Sequence, residues 1–377
     1  MKIVYSIDAK LGGGGIGATA HQAALGIYRA GALERIFVSS NAQTEIPTKL
    51  IHRLGFVGRV IKYAGAKDPS GLIYSLEGDA FDRWVASQMP RGDIFHGWNG
   101  MCLRSLRTAK QRGMITVVER ASSHPETQLR LSQEEHRRWG LTDYRAAPNY
   151  ARCARELDEA DYIAIPSAFV RDSMIAAGVP ETKLFEIPFG VDLIQFFPSP
   201  SPERRPFRAI FVGQVSIRKG LPHLLEAWRM LRWSDAELWI VGTVRPDFAP
   251  LRSRWSELKS VRYIPHAAAV APLLQQCDVF VFPSIEEGSA LVTYEAMACG
   301  LPIITTPNAG SVARDGVDGY VVPIRDVDAL RDRLERLRGD AALRRQMGQS
   351  ARQRAEQFAW TRYQSALITS YHRLTGE

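Results

Sequence analysis

The sequence predicts an α/β protein of two domains, each built on a mainly parallel sheet. The chain has 377 residues, which is long for a single hydrophobic core, and 45% of them are hydrophobic against 23% charged. Short β-branched runs alternate with amphipathic stretches along the whole chain. This alternation is typical of βαβ units, in which helices cover both faces of a parallel sheet.

The predicted strands fall into two series. The first series lies near residues 2–7, 35–39, 94–96, 115–118 and 162–165, and the second near residues 209–213, 237–242, 261–264, 279–282, 302–305 and 319–322. Helical spacing of apolar residues continues after the last strand to the end of the chain.

A proline-rich segment, residues 197–206 with the sequence FPSPSPERRP, separates the two series. This density of proline excludes both a helix and a central strand. We therefore predict a first Rossmann-like domain over residues 1–196, a linker over 197–206, a second Rossmann-like domain over 207–357, and a last helix over 358–377.

Composition restricts the partners and the compartment. The formal charge of +8 favours anionic ligands, but the arginines of residues 331–338 and 344–354 alternate with acids, as on solvated helix faces, so we predict no nucleic-acid partner. The apolar residues 1–7 are too few for a signal peptide or a membrane span. Four scattered cysteines form no close pair, which favours reduced thiols and a cytoplasmic protein: Cys102, Cys153, Cys277 and Cys299.

The most informative motif is residues 283–302, PSIEEGSALVTYEAMACGLP. A buried strand is predicted to end at Pro283, and a helix to begin near Ser289 and end before Gly300. The first amides of that helix, at Ser289, Ala290 and Leu291, would bind an anion because they lack intrahelical partners. Glu287 precedes the helix and Glu295 lies inside it, which suits a ligand lying along the helix.

Glycine-bounded loops follow three other strands. Residues 211–220, FVGQVSIRKG, place Gly213 at a strand end and bring two cations, Arg218 and Lys219, to an anion. Gly242 ends the next strand, where a nucleotide base would lie. Gly14 and Gly15 belong to the loop after the first strand, which formally matches G-x-G-x-x-G. A dinucleotide enzyme would also need an acid at the end of the second strand, and residues 39–41 of this chain contain no acid.

Together these motifs resemble the retaining glycosyltransferases of family 4, whose donor motif is two glutamates separated by seven residues and whose fold is GT-B. The resemblance implies that Glu295 binds the ribose hydroxyls and that Glu287 faces the transferred sugar. It assigns the donor diphosphate to Lys219 and Arg218, although many relatives carry an arginine where this chain has Gln214. It also implies that no metal or other cofactor is required.

The acceptor side departs from the family at one place. Many relatives carry a His-Asp pair where this chain has Glu119 and Arg120. His124, four residues further on, is the candidate substitute that would contact the sugar or the acceptor hydroxyl, and a structural role for His124 remains an alternative. His96 is interpreted as structural.

The resemblance implies transfer of a hexose from a UDP- or GDP-sugar to a glycan or glycolipid hydroxyl with retention, as in cell-surface polysaccharide biosynthesis. Two alternatives remain open. One is a nucleotide-sugar epimerase or phosphorylase-like enzyme on the same fold, and the other is a polyanion- or membrane-binding protein with a vestigial sugar site.

Two further stretches have competing interpretations. The basic helix predicted over residues 126–138 either borders a lipid-linked acceptor at the inner face of the membrane, as a peripheral contact, or is an ordinary solvated helix. Asp326 and Asp328 form a D-x-D sequence like that of metal-dependent transferases, but they open a predicted helix, where aspartates are favoured as caps. We therefore predict capping and no metal site.

Overall fold

The computed structural model describes residues 1–55, 72–141, 144, 146–199, 206–265, 267 and 269–376. It contains two parallel sheets whose strands alternate with helices along the chain, as the sequence predicts. Most of the predicted linker, residues 200–205, lies outside the described residues, so the predicted domain limits remain a prediction.

The first sheet has seven strands in the order β3-β2-β1-β4-β5-β6-β7, and neighbouring strands pair in parallel. Its strands are β1 Ile3–Leu11, β2 Leu33–Asn41, β3 Ile51–Arg53, β4 Ile94–Trp98, β5 Ile115–Glu119, β6 Tyr162–Ile165 and β7 Leu184–Glu186. The helices in this part of the chain are α1 Ile16–Arg29, α2 Leu72–Gln88, α3 Leu103–Gln111, α4 Pro125–Arg138, α5 Tyr150–Glu159 and α6 Ala168–Ala176.

The second sheet has six parallel strands in the order β10-β9-β8-β11-β12-β13. They are β8 Phe207–Val212, β9 Ala236–Val241, β10 Val261–Ile264, β11 Val279–Phe282, β12 Ile303–Thr305 and β13 Gly319–Val321. The helices that follow β8 are α7 Leu221–Leu231, α8 Ala271–Leu274, α9 Leu291–Ala298, α10 Val327–Gly339, α11 Ala341–Glu356 and α12 Trp360–Thr375.

The differences from the predicted elements are small and local. The edge strands β3 and β7 were not predicted, because their sequences, Ile-His-Arg and Leu-Phe-Glu, are short and lack a β-branched apolar run. Helix α9 begins at Leu291, two residues after the predicted start at Ser289. Asp326 caps α10 as predicted, since its carboxylate accepts a hydrogen bond from the amide of Ala329 at 2.8 Å.

The last helix, α12, packs against the first sheet rather than the second. Its Gln364 lies directly over Gly26 of α1, where a β-carbon would come within 2.8 Å. Its Tyr371 hydroxyl lies 2.6 Å from Nδ1 of His96 on β4, and Nε2 of His96 lies 3.1 Å from Glu119 of β5. These three side chains are buried, so α12 completes the polar part of the first domain's core.

Helix α4 connects the two domains. The C-terminal half of α4 reaches the second domain, where Glu135 contacts His223 of α7 and Arg325 after β13. Trp139, just after α4, packs edge-on against Trp255. Both sequence interpretations of this helix are therefore incomplete, because part of it is buried between domains. Among the described residues, no helix is long and apolar enough to cross a membrane.

Candidate functional site

A cavity of about 410 Å³ lies between the loop after β1 and the carboxyl ends of β8 and β11. It is the place where parallel α/β sheets bind ligands, because loops from several strands converge there. Nine of the twelve predicted site residues line it: Gly15, Gly213, Arg218, Lys219, Glu287, Ser289, Ala290, Leu291 and Glu295. The fold therefore brings residues separated by up to 280 positions in the sequence into one site.

The N-terminus of α9 forms one wall. Ala290 precedes the helix in an extended conformation. Leu291 and Val292 line the cavity, and their amides lie in the first turn of α9, where no carbonyl of the same helix can accept a hydrogen bond from them. The hydroxyl of Ser289 is used internally, since it bonds to the Tyr294 hydroxyl and the Gly310 carbonyl, each at 2.9 Å. The open amides of α9 can thus bind an anion, and the Ser289 side chain holds the loop in place.

Lys219 provides a buried cation. Its side chain is 8% exposed, forms an ion pair with Glu287, and has its ammonium 5.6 Å from the centre of the Phe282 ring. Burial and the neighbouring Arg218 lower the pKa of Lys219 well below its usual value. Because a buried ammonium needs anions around it, a diphosphate at this point would stabilise the charged form.

Arg218 is oriented by a residue that the sequence prediction missed. Nη1 of Arg218 donates to a carboxylate oxygen and to the carbonyl of Glu286, both at 3.0 Å. The other carboxylate oxygen of Glu286 accepts from the hydroxyl of Ser122 at 2.6 Å and from the amide and hydroxyl of Ser123 at 3.0 and 2.8 Å. Glu286 therefore links the first domain to Arg218, a cation that lines the cavity.

Glu286 and Glu287 are consecutive, yet they point to different partners. Burial alone would raise the pKa of Glu286, but Arg218 and the serine donors outweigh burial and lower that pKa to about 2. Glu287 reaches Lys219, while Glu286 turns toward the first domain. The adjacent pair of acids after a buried strand was the only local signal for Glu286.

Glu295 lies on the first turns of α9 and faces the cavity. Burial raises its pKa to about 7. Among the described residues its carboxylate has no hydrogen bond or ion pair. A partly buried carboxylate without a protein partner is costly, so a ligand that donates hydroxyl groups would satisfy it.

The remaining glycines have different environments. A β-carbon at Gly242, where φ is 147°, would clash with the carbonyl oxygen of Gly213, so Gly242 allows the ends of β8 and β9 to approach closely. Gly242 does not line this cavity. Gly14 is exposed beside Gly15, outside the lining. A β-carbon at Gly288 would clash with the carbonyl of Ala121, which is where the two domains meet.

His124 lies at the start of α4, away from the residues that line the cavity. Nδ1 of its ring accepts a hydrogen bond from the amide of Glu126 at 3.3 Å, and its own amide donates to the Ser173 hydroxyl at 2.9 Å. Burial lowers the pKa of His124. This geometry favours the structural alternative, a helix cap, and the predicted contact with sugar or acceptor gains no support from it.

Two facing domains of this topology, with the cavity at the carboxyl ends of their strands, define the GT-B class. Two solved structures of the same fold superpose on this chain. WaaG, a glycosyltransferase involved in lipopolysaccharide biosynthesis, superposes with a TM-score of 0.72 at 17% identity and covers all of both chains. Anabaena Alr3699/HepE in complex with UDP-glucose superposes with a TM-score of 0.69 at 16% identity over 99% of this chain and 100% of that one.

Sequence comparison gives a family match for the second half of the chain. Residues 206–340 match the family model described as glycosyl transferases group 1. The MMP alpha-(1->4)-mannosyltransferase of Mycolicibacterium hassiacum is 32% identical over 249 residues, which span 63% of this chain and 58% of that relative. The resemblance inferred from the sequence motifs is thus confirmed: residues 206–340 match the group 1 glycosyltransferases, and the whole chain has the GT-B fold.

Proposed function

We propose that the protein transfers a hexose from a UDP- or GDP-sugar to a glycan or glycolipid hydroxyl, with retention of the anomeric configuration. The observation that carries this proposal is the convergence, in one cavity, of two cations, two carboxylates and the open amides of α9. Cations and amides suit a diphosphate, and carboxylates suit hydroxyl groups. The UDP-glucose bound by the structural neighbour named above supports a nucleotide-sugar donor.

In this proposal each side chain has one task. Lys219, Arg218 and the α9 amides hold the diphosphate, whose negative charge grows as the glycosidic bond breaks. Glu295 accepts hydrogen bonds from the ribose, and Glu287 faces the transferred sugar. The departing diphosphate takes the proton of the acceptor hydroxyl, so no further protein base is required.

We further propose that the reaction needs no metal, because Lys219, Arg218 and the α9 amides already supply positive charge at the diphosphate. In this proposal the cleft closes around the substrates, and closing excludes water, which would otherwise compete with the acceptor. The proposed setting is the cytoplasm, with the acceptor belonging to cell-surface polysaccharide synthesis and a peripheral contact with the inner face of the membrane.

The decisive experiment combines binding and turnover. We expect UDP or GDP to raise the melting temperature, and the matching nucleotide sugar to release free nucleoside diphosphate in the presence of EDTA. Lys219→Ala should weaken diphosphate binding about 10- to 100-fold, since a charge-assisted contact contributes about 1.5–3 kcal/mol. The matched control is Arg229→Ala, an exposed cation on α7.

Each alternative function predicts a different result. An isomerised donor without released diphosphate would indicate an epimerase, and a sugar phosphate formed from inorganic phosphate would indicate a phosphorylase-like enzyme. Salt-sensitive binding to polyanions, with no stabilisation by any nucleoside diphosphate, would indicate a binding protein. Equal diphosphate affinity in wild type and Lys219→Ala would contradict the assigned site.

A further inference from the structure

The loop that follows β5 in the first domain contains a buried cation. We call residues 120–124 the β5 loop; its Arg120 is 7% exposed and forms no ion pair within the described part of the chain. The guanidinium donates instead to three neutral acceptors, the carbonyl of Ser123 and the side chains of Asn99 and Gln128. Because a buried charge without a counter-ion lowers stability, packing alone does not explain an arginine at this position.

Arg120 fixes the shape of the β5 loop. Its Nε and Nη2 both donate to the carbonyl of Ser123, at 2.9 and 2.6 Å, so two bonds from one planar group hold that oxygen. The amide of the same peptide unit, that of His124, donates to the Ser173 hydroxyl at 2.9 Å. The peptide between Ser123 and His124 is therefore held from both sides.

The β5 loop donates hydrogen bonds to the second domain. The Ser122 hydroxyl and the amide and hydroxyl of Ser123 donate to one carboxylate oxygen of Glu286, at 2.6, 3.0 and 2.8 Å. The other carboxylate oxygen accepts from Nη1 of Arg218 at 3.0 Å, and Arg218 lines the cavity of about 410 Å³, here called the donor cavity. A continuous series of hydrogen bonds thus runs from Arg120 through Ser123 and Glu286 to a cation of that cavity.

The contact with Glu286 orients the Arg218 guanidinium and leaves part of it open. Nη1 of Arg218 donates to the carboxylate and to the carbonyl of Glu286, both at 3.0 Å. Within the described residues, Nε and Nη2 of Arg218 donate to no protein group, and the side chain is 30% exposed. Since the guanidinium is planar, the bonds at Nη1 set the direction in which the remaining donors meet an anion.

The charges along this series attract one another. Burial lowers the pKa of Arg120, and nearby negative charge, that of Glu286 included, opposes the shift. Arg218 and the serine donors outweigh burial at Glu286 and lower its pKa to about 2. Glu286 is therefore charged at neutral pH and attracts one arginine from each domain.

We propose that the β5 loop is a positioning element for donor binding: Arg120 holds the loop in shape, and the loop, through Glu286, orients Arg218 toward the diphosphate. This inference rests on the proposed function, because it deepens the assignment of the diphosphate site. It makes the affinity of the second domain for its donor depend on a loop of the first domain. Because such coupling is reciprocal, a bound diphosphate strengthens the contact between the β5 loop and Glu286.

The first test removes one donor of the β5 loop and measures the affinity of the full chain for UDP and GDP by isothermal titration calorimetry. Ser122→Ala should weaken diphosphate binding about 3- to 10-fold, because Glu286 then holds Arg218 less firmly and bonds to charged groups are the stronger ones. Ser122→Thr keeps the hydroxyl and should bind as the wild type does. The matched control, Ser87→Ala, removes a hydroxyl that bonds within α2 to the Trp84 carbonyl at 2.8 Å and should change nothing.

The second test addresses Arg120. Arg120→Lys keeps the charge, but a lysine cannot reproduce the four hydrogen bonds of the guanidinium, so diphosphate binding should again weaken about 3- to 10-fold. Gln128→Met removes one acceptor of Arg120 and is the milder second variant, with an expected loss of about twofold. Unchanged affinity in both variants would overturn the role of Arg120.

A double-mutant cycle shows whether the effect passes through Arg218. In an Arg218→Ala background, Ser122→Ala and Arg120→Lys should cause no further loss of affinity, since the cation that they orient is gone. A further loss as large as in the wild-type background would show that the loop acts on the domains in general, and would overturn the proposal. Unchanged affinity in Ser122→Ala, or the same loss in Ser122→Thr, would also overturn it.

Inorganic pyrophosphate is the second probe, because it carries the diphosphate without a base or a sugar. If UDP or GDP binds and donors turn over while Ser122→Ala and Arg120→Lys bind as the wild type does, only the inference about the β5 loop is wrong. If pyrophosphate binds with the expected dependence on both residues while neither UDP nor GDP binds, the inference stands and the transferase proposal is wrong. If none of the three compounds binds, both proposals are wrong.

Discussion

Replacing Glu286 by glutamine tests how strongly the donor cavity depends on the contact between domains. The shift of the Glu286 pKa from 4.5 to about 2 favours the carboxylate by about 3 kcal/mol. Glutamine keeps the shape but loses the charge that pairs with Arg218 and that accepts from Ser122 and Ser123. We therefore expect Glu286→Gln to lower the free energy of unfolding by about 2–3 kcal/mol at pH 7.

The pH dependence has a definite sign. The folded pKa of Glu286 is lower than the unfolded one, so its stabilising contribution is fully present above pH 4.5 and is lost as the pH falls toward 2. The difference between wild type and Glu286→Gln should thus be constant from pH 5 to pH 8 and should shrink between pH 4.5 and pH 2. Urea unfolding followed by tryptophan fluorescence would measure it.

The control for this prediction is Glu356→Gln on α11. Glu356 also pairs with an arginine, at 2.7 Å, but it is half exposed. An exposed pair of this kind contributes about 0.3–0.5 kcal/mol. If Glu286→Gln and Glu356→Gln cost the same, or if the cost of Glu286→Gln does not change below pH 4.5, the buried carboxylate of Glu286 does not hold the two domains together.

Two other substitutions test the cavity and the domain contact. Glu295→Gln should stabilise the ligand-free protein by about 2 kcal/mol at pH 8 and not at pH 4. The reason is that a folded pKa raised to about 7 adds stability below pH 4.5 that is lost as the pH rises through 7. The same variant should bind nucleoside diphosphate less tightly, and thermal shift at both pH values measures both effects. Gly288→Ala should lower the free energy of unfolding by about 1–3 kcal/mol, because its methyl group meets a backbone carbonyl of the first domain. The control Gly339→Ala, at the end of α10 with open space around it, should be neutral or stabilising. Equal melting temperatures for these two variants would contradict the close approach of Gly288 to the first domain.

The donor half of the site was predictable because its residues occupy strand ends. Arg218, Lys219 and Glu287 follow β8 and β11, which are neighbours in the sheet, so parallel strands place them at one edge. Glu295 could be placed from helix rise alone. Most strands of both sheets were also predicted, because long β-branched runs carry a clear pattern.

Other features could not be read from the chain because they depend on contacts between distant segments. The partners of Glu286, Ser122 and Ser123, are more than 160 residues away and follow no motif. The cap role of His124 depends on where α4 begins, which sequence reasoning places only to within a few residues.

The packing of α12 on the first sheet has a consequence for biosynthesis. The buried partner of His96 is Tyr371, which leaves the ribosome just over 250 residues after Glu119, the other partner of His96. Until Tyr371 arrives, an imidazole and a carboxylate inside the first domain lack the hydroxyl that completes their network. The nascent first domain therefore stays unfinished during synthesis of the second, and its final consolidation is a late, long-range step.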